Sequence, residues 1–112
     1  MREDAASLFV RRYIFPGGQI IHLHEMIRAA EEAGLETLDV ENLRPHYALT
    51  CRLWEQRLAA HREAALRLVD ERTYRAWRVW LAASSLNFEA GFNSVYQVLL
   101  SKRGVSHRRI SR

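Results

Sequence analysis

Apolar positions recur with a helical period along most of the chain. From Pro45 onward, Tyr47, Cys51, Trp54, Leu58, His61, Ala65 and Leu68 fall at alternating spacings of four and three, which lays one stripe along a single long helix. Asp70 suits an N-cap, and Tyr74, Trp77, Leu81, Ser84 and Phe88 repeat the spacing behind it. Two long helices packed as a hairpin are therefore expected. Upstream, Asp4 to Phe15 predicts a short helix stopped by Pro16 with Gly17 and Gly18. A second runs from about Ile21 to Ala33, with Leu23, Ile27 and Ala30 on one side and Gly34 in the left-handed position behind it.

Two stretches break the helical period. "LETLDVENL" predicts a strand over about 35–43, and "SVYQVLLSK", β-branched and aromatic, predicts a final strand over about 93–102. Helix, strand and helix in succession make an α/β rhythm rather than a bundle. A pair of strands is marginal in water without neighbours, so the chain is expected to be the end of a larger α/β domain whose central sheet lies elsewhere. Residues 1–102 form that part, and 103–112 form a basic tail.

Composition narrows the class. Of 112 residues, 48% are hydrophobic and 10% aromatic, which is ample material for a core. The net charge is +4, and five of the seventeen Lys and Arg residues fall in the last twelve positions, so the basicity is partly a tail property. A solvated tail, contact with anionic lipid headgroups and nucleic-acid binding all offer themselves. Nucleic acid is disfavoured, because no interleaved aromatics or binding motif accompany the charges. The single cysteine excludes an internal disulfide framework and fits a reducing compartment. "MREDAASLF" lacks the layout of a secretory leader, and no stretch approaches a membrane span, so a cytoplasmic location is expected, with peripheral contact at the inner membrane face through the tail.

Few residues advertise chemistry. "FPGG" matches neither a Walker loop nor a dinucleotide loop and reads as a turn. His22 and His24 are two apart at a helix start, which directs them to different faces and suits solvated histidines better than metal ligands. His61 reads as a half-buried histidine with a hydrogen-bond partner, and Cys51 as a small core residue. "HYALT" at 46–50 is the open case. Tyr47 is either ordinary core with its hydroxyl at the edge, or a phenol donor at the mouth of a pocket beside a helix N-terminus that favours an anion.

Taken together, "RRYIFPGGQI", "HYALT" followed by "LW", and "DERTYRAWRVW" at these separations resemble the C-terminal part of the cyclopropane fatty acid synthase family, which includes the mycolic acid cyclopropane synthases. The resemblance runs from about Leu8 to Lys102. It implies a Rossmann-like, class I methyltransferase fold whose central parallel sheet and S-adenosylmethionine site lie upstream, so that no cofactor is expected to bind this chain alone. In such enzymes the double bond of an unsaturated acyl lipid attacks the sulfonium methyl, and the resulting carbocation loses a proton as the ring closes, with bound bicarbonate as the base. By resemblance Tyr47 contacts bicarbonate, and Phe15, Ile20, Cys51, Trp80, Ser84 and Phe88 line the acyl channel. Cys51 stands where leucine is usual, Trp80 where tyrosine is common and Ser84 where cysteine is frequent, which leaves the substrate open.

Three expectations follow. The first is a fragment of a cyclopropane-fatty-acyl-phospholipid synthase-like methyltransferase, inactive until joined by a Rossmann half. The second is a related methyltransferase that leaves a methyl branch or acts on a small amine. The third is a non-catalytic helical or lipid-surface module, with its apolar faces buried in a partner or a homo-oligomer.

Overall fold

The computed structural model describes residues 5–18 and 20–104. Its elements in chain order are α1 (Ala5–Tyr13), α2 (Leu23–Glu32), β1 (Leu35–Asn42), α3 (Arg44–Ala60), α4 (Arg62–Leu66), α5 (Glu71–Ala90) and β2 (Tyr96–Lys102). They divide between two compact units. One takes its described residues from 5–18 and 43–95, the other from 20–42 and 96–104.

In the first unit α3 and α5 form the expected antiparallel pair. Pro45 occupies the first turn of α3, where a missing N–H costs nothing, and the Leu43 N–H just before it donates to the Val95 carbonyl at 2.7 Å. Asp70 caps α5 as expected, its carboxylate accepting from the Thr73 N–H at 2.8 Å. Gly91 ends α5 with φ +86°, a conformation an L side chain avoids. Small side chains fill the seam between the helices. Ala48 and Cys51 of α3 are buried, as are Ala76, Ser84 and Ser85 of α5, and the Ser85 hydroxyl donates to the Ala48 carbonyl at 2.7 Å. Ion pairs flank the seam, with Arg78 donating to Glu55 at 2.6 and 3.0 Å and Arg52 to Glu89. Exposed pairs of this kind contribute about 0–1 kcal/mol each. Tyr74 and Leu81 of α5 are buried as well, and burial rather than ion pairing holds the pair together.

The single long helix expected from Pro45 to Leu68 is broken. His61 leaves helical geometry at φ −110°, ψ 31°, and its Nδ1 lies 2.8 Å from the Arg57 carbonyl oxygen. A ring that takes the carbonyl of the preceding turn competes with the backbone ladder, and the His61 N–H is shared between the Arg57 and Leu58 carbonyls at 3.1 and 3.2 Å. The chain restarts as α4. His61 has the hydrogen-bond partner anticipated for it, but it is exposed rather than half-buried.

In the second unit β1 and β2 pair antiparallel, with Leu35 opposite Lys102 and Asn42 opposite Tyr96 and a register shift between Thr37 and Asp39. Among the described residues the sheet has these two strands, slightly shorter than expected. Helix α2 packs on β1, which gives the sheet a covered face. Gly34 makes the turn between them at φ +92°, and its carbonyl accepts from the Arg103 N–H at 3.3 Å. The two histidines of "HLH" do not point apart. Their rings stack with centroids 5.5 Å apart, because His22 is the N-cap with an extended backbone (ψ 148°) and the helical direction rule begins only after it. The basic tail lies outside the described residues from position 105 onward. Among those described, no helix is long and apolar enough to cross a membrane, and no group of three or more His, Cys, Asp or Glu could hold a metal ion.

Candidate functional site

Beyond the small-residue seam the helix pair opens into a cleft of about 550 Å³. From α3 come Trp54, Arg57 and Leu58, from the α4 region Ala65, Leu68 and Val69, from α5 Thr73, Tyr74, Trp77, Trp80 and Leu81, and from the turn after α1 Phe15. The cleft exists because bulky residues take over the stripe where small ones leave off. Indoles cannot interdigitate as closely as alanine and serine, and the break at His61 turns α4 out of the line of α3. Two residues that the hairpin stripe assigns to the core are exposed, Trp54 by 46% and Leu68 by 86%.

The lining is aromatic and nearly uncharged. Phe15, Trp77 and Trp80 meet edge to face, with centroids 5.3 Å apart for Phe15–Trp80 and Trp77–Trp80 and 6.0 Å for Phe15–Trp77. All three tryptophans of the chain line this one cleft. Arg57 is its single charged residue and makes no ion pair among the described residues.

A second cluster sits at the start of α3. The ring of Tyr47 lies 5.9 Å from that of Phe88. Its backbone N–H already donates to the Leu43 carbonyl at 3.0 Å, which leaves the phenol as the donor available to a ligand. Cys51 is 2% exposed, and burial pushes its thiol pKa up, so it stays protonated and packs as a small apolar group.

The anticipated channel residues are thus separated. Phe15 and Trp80 line the cleft. Tyr47 and Phe88 pair at the other end of the α3–α5 contact, with Cys51 and Ser84 buried in the seam. Ile20 belongs to the second unit and is 95% exposed. Residues not anticipated as lining include Trp54, Leu58, Leu68, Tyr74, Trp77 and Leu81. Every one lies on the two stripes, and their size, set against the alanines and serines elsewhere, is the signal that separates a cleft from a seam. Arg57, Val69 and Thr73 lie off the stripes and carry no such signal.

Comparison with known proteins gives a match of residues 1–98 to the family described as mycolic acid cyclopropane synthetase. The chain belongs to that family. A probable fatty acid methyltransferase of Pseudomonas putida is 42% identical over 97 residues, covering 87% of this chain and 25% of the relative. The tuberculostearic acid methyltransferase UfaA1 of Mycobacterium tuberculosis is 38% identical over 98 residues, covering 86% and 23%. Among solved structures, the mycolic acid cyclopropane synthase CmaA1 complexed with SAH and CTAB superposes with TM-score 0.79 at 30% identity, over 85% of this chain and 33% of the other. The cyclopropane synthase MmaA2 from Mycobacterium tuberculosis gives 0.79 at 29%, with the same coverage. The chain spans about a quarter of the length of these curated methyltransferase relatives and has the fold of the corresponding part of the solved cyclopropane synthases.

Proposed function

We propose that the chain supplies the acyl-binding elements of an S-adenosylmethionine-dependent methyltransferase that modifies the double bond of an unsaturated lipid chain. The aromatic cleft is the observation that carries this reading. Its volume falls within the range of about 300–1,000 Å³ usual for small-molecule sites, and each methylene buried there is worth about 0.8 kcal/mol. Its walls are apolar, and the faces of Phe15, Trp77 and Trp80 tolerate positive charge developing on an alkyl chain. S-adenosylmethionine itself does not fit the cleft. A sulfonium and ribose hydroxyls call for carboxylates, whereas the only charge here is Arg57. Cofactor binding is therefore assigned to other parts of the enzyme.

Tyr47 is assigned to the anion that serves as base, bicarbonate by family likeness. Its phenol carries no hydrogen bond among the described residues and stands at a helix start, where negative charge is favoured. In the assembled enzyme Tyr47→Phe should lower turnover by roughly tenfold or more, the worth of one hydrogen bond to a charged group, while the melting temperature barely moves. Full turnover in that variant would remove the assignment.

The decisive experiment is transfer of labelled methyl from S-adenosylmethionine to vesicles of unsaturated phospholipid, with the chain alone and with a cofactor-binding half from a relative. Label in the lipid only with both halves is expected, and label with neither would sink the proposal. The product mass then separates a ring from a methyl branch by two hydrogens. A second reading, a helical module without catalysis, is favoured by the exposed Leu49, Leu53 and Leu86 on α3 and α5. We assign these faces to contact with the cofactor-binding half. Self-association on dilution analysis of the chain alone would favour the second reading instead.

A further inference from the structure

The acyl-chain reading accounts for the apolar walls of the cleft but not for Arg57. Arg57 is exposed at the rim of an otherwise uncharged aromatic cleft, so its guanidinium is accessible to an anionic group on a ligand whose apolar part lies inside. Two neighbouring cations are engaged. Arg62 donates to Glu71 at 3.2 Å and lies over the Tyr74 ring at 5.8 Å, and Arg78 is held by Glu55. Arg57 pairs with no carboxylate among the described residues, and no acidic residue lines the cleft to oppose an incoming anion. It sits on the same α3 face as Trp54, three residues on, so one ligand can lie along the indole and reach the guanidinium.

Resting on that reading, we propose that the cleft recognises an acyl chain bearing an anionic group, with Arg57 as the headgroup anchor. The fork of the guanidinium matches the two oxygens of a carboxylate or a phosphate. Both a free fatty acid and a phospholipid carry this chemistry. Arg57 then sets how far the chain enters, since a fixed head leaves a fixed length of alkyl chain against Trp77 and Trp80. It acts as a specificity-determining residue, remote from bond making.

The test uses the 112-residue chain and the emission of its three tryptophans, all of which line the cleft. Oleate, oleyl phosphate and oleyl alcohol are titrated below their aggregation concentrations. Wild type is expected to bind one or both anions roughly tenfold more tightly than the alcohol, the effect of one charge-assisted hydrogen bond. Arg57→Gln should erase that preference and Arg57→Lys should keep part of it. The preferred anion identifies the source, carboxylate for a fatty acid and phosphate for a phospholipid. Equal affinity for all three ligands in wild type, or a preference that survives Arg57→Gln, would overturn the anchor while leaving the acyl-chain reading intact. No saturable change with any ligand would remove the acyl-chain reading and the anchor with it. Should Arg57→Gln not fold, the salt dependence of the wild-type preference decides. A preference that declines from 0.01 to 0.5 M salt supports the guanidinium, and one that is unmoved overturns it.

Discussion

The two ends of the α3–α5 contact carry the same spacing and do opposite things. At the start of α3, Ala48 and Cys51 meet Ser84 and Ser85 with no space between, and a side chain hydrogen-bonds across to backbone. Toward its end, Trp54 and Leu58 stand apart from Trp77 and Trp80, and the space between them is a cleft. Helical period decides which residues face a neighbouring helix. Their volumes decide whether the two surfaces close.

That contrast is open to direct attack. Ala48→Leu inserts three carbons into the closed end against Ser85 and should cost about 1–3 kcal/mol in chemical denaturation, whereas Leu68→Ala at the open rim should stay within about 0.5 kcal/mol. Comparable losses at the two sites would abolish the distinction. Gly91→Ala forces an L side chain to φ +86° and brings its Cβ to 2.6 Å from the Arg44 guanidinium, also at the closed end. A loss of about 1–2 kcal/mol is expected, most of it backbone strain, since the arginine tip can move aside. At the open end Trp54→Ala should weaken oleyl alcohol binding by roughly tenfold, about 1.4 kcal/mol, with a smaller change in unfolding. A purely structural Trp54 would reverse those magnitudes.

The smallest effect concerns the cap at the open end. Hydrogen bonds from Thr73, side chain and then backbone, hold the Asp70 carboxyl below its ordinary value of 3.8. A carboxylate whose pKa is lowered by folding contributes stability that is fully present above the unfolded value and is lost as pH falls through the folded one. Asp70→Asn caps nearly as well but does not titrate. Wild type and variant should therefore melt together at neutral pH and separate below about pH 4, with wild type losing ground. Parallel melting down to pH 2 would show that the cap carries no titrating contribution.

Much of the local structure was legible because it rests on neighbours in sequence. The Asp70 cap, the Gly34 turn and both strands follow from residues within a few positions of each other. The break at His61 was not, since it depends on an imidazole bonding the carbonyl four residues back, which periodicity does not register. The stacked histidines escaped because the helical direction rule was applied to an N-cap whose backbone is extended. Phe15 and Trp80 were reached through family likeness, and Trp54 and Trp77 were visible only as stripe members. Tyr47 and Phe88 meet each other, and Ile20 is exposed.

The hydroxyl bond from Ser85 to the Ala48 carbonyl has a consequence for inheritance. It joins positions thirty-seven apart in sequence in a seam too tight for either side chain to grow alone. Substitutions there must come as compensated pairs, a larger residue on one helix with a smaller one on the other. At the cleft, Phe15, Trp77 and Trp80 pack on one another, whereas the exposed Trp54 and Leu68 have room to change singly. Across the family, linked replacements should then mark the scaffold, and unlinked replacements at Trp54 should track the lipid each member handles.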